Sequence, residues 1–341
     1  MSNIVSLSFL TLRPLRENLF SRAFPFKNRE LTMVIVDAHM HLWDHIDGFL
    51  GAPVRSIGNG QVTLGSQKMM GMPPYLLDGR CTWEIALSVM DAAGVYAAVV
   101  TQEYLDGNQN AYLAEAEKKN PERLFVHGLL DFFHPERLSE EFEEVMREYE
   151  FKGIKVPAMN LPKAGPRIFL NDPKCMTVFE KMEKRGMVLS IDLHPSDCQV
   201  EEMREVARSF PRLTVTLGHF AMANREGWLK QMSLAKEPNV YVESGGITWL
   251  YRLDGPPFPG AQEAFRIAAE HVGADKLMWG SDHPRTMVDF TYEQALDFLL
   301  DGCPFFSDTQ KKAILGETAL RIYGIKKPLQ EPSRMKKITE D

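Results

Sequence analysis

Cysteine is scarce in this 341-residue chain, which has only Cys81, Cys175, Cys198 and Cys303. None forms a C-x-x-C pair, and their scatter argues against a disulfide framework or a thiolate metal cluster. Free thiols of this kind suit a reducing cytoplasm. No apolar run reaches the roughly 20 residues needed to span a bilayer, so no membrane segment is expected. Positive charge is also short: 39 Lys and Arg against 46 Asp and Glu give a net charge of −7. With no basic cluster to offset it, nucleic acid is not expected as a partner. A G-x-G-x-x-G turn after the first strand-like run is missing as well, which disfavours a dinucleotide-binding open sheet. What remains is a globular protein acting on a small molecule, with homo-oligomer formation left open.

Residues 1–32 are Arg-containing and acid-poor, with no clear periodicity. They read as an N-terminal extension, either a transit-like presequence or the product of an upstream start codon, and the second is preferred. From Met33 onward, strand and helix signals alternate. Strand-like runs cover Val34–His41, Val95–Thr101, Leu124–Asp131, Gly153–Pro157, Val188–His194, Leu213–His219, Val240–Ser244 and Leu277–Asp282. Between them lie charged stretches with helical spacing. Lys174–Arg185 has Asp172 placed as N-cap, Pro173 at the first helical position and Gly186 just past the end. Ser307-Asp308-Thr309-Gln310 is a capping-box pattern opening another helix. Eight such units without a composition break predict a single (β/α)8 TIM barrel over residues 33–326, followed by a flexible tail at 327–341. The long stretch Asp44–Arg80 leaves the first strand on the side where barrel active sites lie, and is expected to form a loop serving as a partial lid. Gly245–Gly260, with Trp249, Tyr251 and Arg252, is expected to wall the pocket on another side.

The chemistry sits at strand ends. Asp37-Ala38-His39-Met40-His41 closes the first run, and alternation along a strand puts His39 and His41 on one face, a ready nitrogen pair for a transition metal. His194 ends the fifth run, His219 the sixth and Asp282 the eighth. In a barrel these ends share one rim, so residues far apart in sequence meet in one site.

The pattern resembles the amidohydrolase superfamily, in particular its amidohydrolase-related branch of decarboxylases and lactonase-type hydrolases. The resemblance rests on Asp37-Ala38-His39-Met40-His41-Leu42-Trp43, Asn120-Pro121-Glu122-Arg123-Leu124, Gly218-His219, Trp279-Gly280-Ser281-Asp282-His283-Pro284 and Ile314–Gly324. It implies one divalent metal held by His39, His41, His194 and Asp282. Zinc is the expected ion, and manganese and iron also suit imidazole and carboxylate donors. It further implies that Asp282 accepts a proton from the attacking water while His219 stabilises the oxyanion or protonates the leaving group.

Two departures from the family types steer the reading. Lys155 occupies the strand-four position where binuclear relatives carry a carboxylated lysine. Here it is expected to be an ordinary lysine meeting solvent or a substrate carboxylate, giving one metal. Gly218-His219-Phe220-Ala221-Met222 lacks the glutamate expected of decarboxylases. Hydrolysis of a small cyclic ester or amide is therefore the lead. Decarboxylation of an aromatic or muconate-like acid is the alternative, and an inactive binding barrel is disfavoured by the complete ligand set. Arg285 is a candidate clamp for an acidic substrate or a partner of a rim acid, and Trp249 and Arg252 are candidates to contact substrate. Asp37 is expected to hold the strand end, and His283, on the opposite strand face, to support the site from behind.

Overall fold

The computed structural model describes residues 33–48, 54–162, 167–330 and 332–335. The N-terminal extension lies outside the described residues. Eight parallel strands form one sheet in the order β1 (Val36–His41), β5 (Ala97–Thr101), β6 (Leu124–Leu129), β7 (Gly153–Val156), β8 (Val188–Ile191), β9 (Thr214–Leu217), β10 (Val240–Glu243) and β11 (Leu277–Met278). Sequential neighbours pair in parallel with helices between them, the arrangement of an α/β TIM barrel. Hydrogen bonds between the first and last strands close it: Ala38 N–H to Trp279 O at 2.9 Å, Asp282 N–H to His39 O at 2.8 Å, and His41 N–H to His283 O at 2.7 Å. All six residues of β1 are buried, as expected for a strand covered on both faces.

The strands are shorter at their C-terminal ends than the apolar runs suggest. β8 stops at Ile191, three residues before His194, and β11 covers only two residues. The helix Pro173–Lys184 starts as its signals require, with Asp172 Oδ1 accepting from the Lys174 N–H at 2.9 Å. Ser307 and Gln310 form the reciprocal capping box. The helix that follows widens into a π-turn at Ala313–Glu317. Ile314 O, in this turn, accepts the Trp279 N–H at 2.9 Å and so anchors the strand leading to Asp282.

The Asp44–Arg80 stretch is not the loop that its glycines and prolines suggest. It holds a three-stranded antiparallel sheet, β2 (Val54–Gly58), β3 (Gln61–Leu64) and β4 (Gln67–Met70). Two-residue turns at Asn59-Gly60 and Gly65-Ser66 connect them. Asn59 and Gly60 have φ of 53° and 74°, the left-handed pair that suits the twist of a tight hairpin. The described part of the tail is tied down rather than free: Met335 N–H donates to Ala92 O at 3.1 Å, and Arg334 Nη2 to Asp297 Oδ1 at 2.9 Å. Among the described residues no helix is long and apolar enough to cross a membrane.

Candidate metal centre and active site

The seam between β1 and β11 builds the centre. Parity along β1 turns Asp37, His39 and His41 towards the barrel interior, and the seam bonds set Asp282 beside them. His39 Nε2 lies 3.0 Å from His41 Nε2, His41 Nε2 lies 3.0 Å from Asp282 Oδ1, and His39 Nε2 lies 3.7 Å from the same oxygen. All three side chains are 1% exposed. A tetrahedral zinc with bonds of about 2.0–2.1 Å spaces its ligand atoms about 3.3–3.4 Å apart, so these separations fit a single small cation. Two imidazole nitrogens and a carboxylate converging in a dry interior are electrostatically costly without one. These residues fit a divalent metal.

Each member is held from behind. His39 Nδ1 lies 2.7 Å from Glu243 Oε1, a pairing that leaves Nε2 as the lone-pair atom facing His41. Asp282 Oδ2 accepts the Trp249 indole N–H at 2.7 Å. Burial opposes the charge of Asp282, but the hydrogen bond and charge of His41, and then His219 and His39, hold its carboxyl well below the usual carboxylate range. Asp37 supports the strand end as expected. It accepts the N–H of His39 at 3.1 Å, the N–H and hydroxyl of Ser281 at 2.9 and 2.5 Å, and the Tyr292 hydroxyl at 2.8 Å. Burial pushes its carboxyl up to about 6 in spite of those donors. His283 is buried behind the site, its N–H donating to Ser281 Oγ at 2.9 Å, and burial together with the nearby His41 lowers its imidazole to about 4.

His219 is aimed by an unusual stretch of backbone. Residues 219–222 all have φ between 50° and 59°, left-handed values that cost non-glycine residues about 1–2 kcal/mol each. The turn lets His219 Nδ1–H donate to Gly245 O at 2.9 Å, so its Nε2 faces the interior, 3.6 Å from Asp192 Oδ2.

His194 does not join either group of potential ligands. Its Nδ1 lies 3.0 Å from Ser196 Oγ, and its backbone N–H donates to Gln199 Oε1 at 2.8 Å. The reason is local: alternation lasts only as long as the strand, and β8 has ended by Ile191. Asp192, the first residue past that end, takes the inward place. It gathers with Glu103 and His219 into a second buried cluster, and Lys155 fills the gap between the acids. Lys155 Nζ lies 2.6 Å from Asp192 Oδ2 and 3.5 Å from Glu103 Oε1, with the side chain fully buried. Burial works against this ammonium, yet Asp192, Glu103 and Glu243 outweigh it and keep its pKa above the ordinary lysine value. The same ammonium holds Asp192 well below the carboxylate range against its own burial, while burial sends Glu103 well above it. The Lys155 ammonium is engaged with Asp192 and Glu103.

Arg285 is likewise committed. Its guanidinium pairs with Asp106 and lies over the Trp43 ring at 5.6 Å, so it ties the rim together instead of waiting for an anion. Asp106 Oδ2 in turn lies 3.7 Å from His41 Nδ1. Trp249 reaches the centre through Asp282, and Arg252 is exposed at the rim. Sequence reasoning missed Glu103, Asp106, Asp192 and Glu243. Glu243 and Asp192 were marked by the same signal as the histidines, a polar residue at the end of an apolar strand.

The amidohydrolase family profile matches residues 36–325, and the chain belongs to that family. Its members are enzymes, hydrolases and decarboxylases among them. An L-fucono-1,5-lactonase of Burkholderia ambifaria is 24% identical over 311 residues, covering 86% of this chain and 96% of the relative. Among solved structures, a probable 2-pyrone-4,6-dicarboxylic acid hydrolase of Acinetobacter baumannii with citric acid bound superposes with a TM-score of 0.63 at 19% identity, covering 86% of this chain and 100% of the other. A zinc-bound amidohydrolase of Burkholderia multivorans gives 0.63 at 18% identity, with 85% and 99% covered. The 5-carboxyvanillate decarboxylase of Sphingomonas paucimobilis gives 0.58 at 17% identity, with 86% and 100% covered. At these identities the solved structures speak for the shared barrel alone.

Proposed function

We propose that this protein hydrolyses a small neutral lactone bearing several hydroxyls, at one divalent metal, zinc by preference, held by His39, His41 and Asp282. The observation that carries the reading is the convergence of these three buried donors beside a histidine whose Nε2 faces the interior next to Asp192. A metal so held supplies acidification of water and polarisation of a carbonyl. Asp282, kept ionised by its histidines, accepts the proton of the attacking water. That proton passes to His219 Nε2, with Asp192 alongside to stabilise the imidazolium, and is delivered to the ring oxygen as the ester bond opens, which leaves Asp282 ionised again. Trp249, through its bond to Asp282 Oδ2, keeps that carboxylate turned towards the reacting atoms.

The charge balance favours a neutral substrate over a carboxylated one. Glu103, Asp106, Asp192, Glu243 and Asp282 face only Lys155 and Arg285 among the described cations of the interior, and both are paired. A divalent ion added to that set leaves no positive surplus to hold a substrate carboxylate. The free cysteines fit a cytoplasmic enzyme.

The test is a substrate panel given to zinc-loaded protein: neutral sugar lactones, carboxylated lactones and aromatic carboxylic acids. Proton release marks hydrolysis and carbon dioxide marks decarboxylation. Neutral lactones are expected to lead carboxylated ones by about tenfold or more in kcat/KM, the equivalent of about 1.4 kcal/mol. Carbon dioxide from the aromatic acids, or a preference for carboxylated lactones, would overturn the reading.

A further inference from the structure

Glu243 is a buried carboxylate near the centre, and the hydrogen bonds it accepts all come from N–H donors. It ends β10, is 1% exposed, and stands beside Met278 of β11 in register. Oε1 receives His39 Nδ1–H at 2.7 Å and the backbone N–H of His219 at 3.2 Å, and Oε2 receives the backbone N–H of Gly245 at 2.5 Å. One carboxylate therefore grips the imidazole of a metal-site histidine and the backbone of the residue that supplies the acid–base imidazole. Gly245 closes the circuit, since its carbonyl accepts the Nδ1–H of His219 at 2.9 Å.

The packing around this group is cut to fit it. A Cβ on Gly245 would drive into the His39 ring, one on Gly218 would run first into Asp192 Oδ1 and lie 2.9 Å from Glu243 Oε1, and one on Gly280 would lie 2.8 Å from His39 Cβ and 3.2 Å from Glu243 Oε2. Three strand-end glycines thus let the sheet close tightly around the His39–Glu243 pair.

From this geometry we infer that Glu243 is the positioning residue of the site, fixing His39 as the Nδ1–H tautomer and setting the left-handed turn that aims His219. The inference rests on the metal-centre reading in so far as His39 Nε2 is the atom presented to the ion. Glutamate suits the place because it accepts three N–H donors and offers none. In Glu243→Gln one end of the carboxamide must set its own N–H₂ against a donor, either His39 Nδ1–H or one of the two backbone N–H groups. The ring can yield by shifting its proton to Nε2, which removes the lone pair that faces His41.

The experiment uses the full chain labelled with ¹⁵N at histidine, metal-free, and reads the ring nitrogens of His39, assigned by comparison with His39→Gln. Wild type is expected to show the Nδ1–H tautomer, and Glu243→Gln to shift His39 towards Nε2–H. Competition with a chelator should show zinc affinity falling about 10–100-fold in Glu243→Gln, with an unchanged far-UV spectrum. Glu243→Asp, which keeps the acceptor character but shortens the reach, should keep the wild-type tautomer. A wild-type His39 carrying its proton on Nε2 would overturn the inference whether or not the glutamine variant folds, as would a folded Glu243→Gln with wild-type tautomer and affinity. Failure of the lactone panel touches neither readout, so the two proposals fall separately.

Discussion

Replacing Lys155 by methionine should cost stability by an amount that depends on pH. The ammonium lies 2.6 Å from Asp192 Oδ2, a separation that at an effective dielectric of about 20 corresponds to about 6 kcal/mol of attraction. Much of that offsets the cost of burying both charges. Removing one partner of such a pair therefore costs about 3–5 kcal/mol, a large share of the roughly 5–15 kcal/mol that a folded domain commands. In the wild type Asp192 sits well below its ordinary pKa of 3.8, because Lys155, together with His219, Glu103 and His39, outweighs burial. Its contribution is fully present above pH 3.8 and fades only as acid drives the pH down towards the depressed value. In Lys155→Met the same carboxylate is buried beside Glu103 with only the His219 imidazole, 3.6 Å away, to set against burial, and its pKa rises above the unfolded value. A raised carboxyl contributes stability at low pH that is lost as pH climbs through its folded pKa. The stability gap between wild type and Lys155→Met should thus be widest at pH 7 and narrow towards pH 5, by up to about 1.4 kcal/mol for each pH unit over which Asp192 stays protonated. Urea unfolding of metal-free protein at both pH values measures it. A gap that stays constant or widens on acidification would refute the assignment of Lys155 as the resident counter-ion of this cluster.

Three further outcomes follow from the same contacts. His39→Ala with His41→Ala should lose bound zinc on metal analysis while keeping the far-UV spectrum of the barrel, since the seam bonds run through their backbone rather than their side chains. Asp282→Asn should lower turnover of the best lactone by about 10²–10⁴-fold, the usual worth of a positioned proton acceptor, as read from steady-state kinetics. Asp37→Ala leaves four donors without their acceptor and should lower stability by at least about 2 kcal/mol in urea titration, whereas Asp37→Asn, whose amide can donate to the Ser281 and Tyr292 hydroxyls, should cost less.

The barrel was legible because each of its strands is an apolar run ending in a polar residue, and because caps such as Asp172 and Ser307 announce their helices. His39, His41 and Asp282 were legible for the same reason, being polar side chains at the ends of runs too apolar to be loops. His194 misled because alternation was carried past the point where β8 stops pairing, and Asp192 is the residue that the pleat leaves facing inward. The small sheet in the insertion had its turns written out at Asn59-Gly60 and Gly65-Ser66. Its strands lacked a core pattern, however, with all four residues of β4 exposed. The sequence left Arg285 open between a substrate clamp and a partner of a rim acid, and gave no sign of the commitment of Lys155. A lysine on a buried strand and an arginine after a carboxylate look the same whether they await a substrate or are neutralised by Asp192 or Asp106, and only the fold supplies those partners.

The closure of the barrel and the assembly of the site are one event. Asp282 N–H bonds to the carbonyl of His39 itself, and the flanking bonds from Ala38 and His41 bracket it on the same seam. The donors from β1 and the carboxylate after β11 therefore cannot drift apart without opening the barrel along its only non-consecutive junction. Glu243 reinforces the neighbouring joint, holding a β1 side chain from β10 across the short β11. A two-residue strand is a weak place in a closed sheet, and here Ile314 O holds its end while the bonds of Asp37 to Ser281 and of Glu243 to His39 tie its neighbours together. A metal between His39, His41 and Asp282 would clamp the same seam from inside. Ion binding there would add its free energy where the sheet has least backbone pairing.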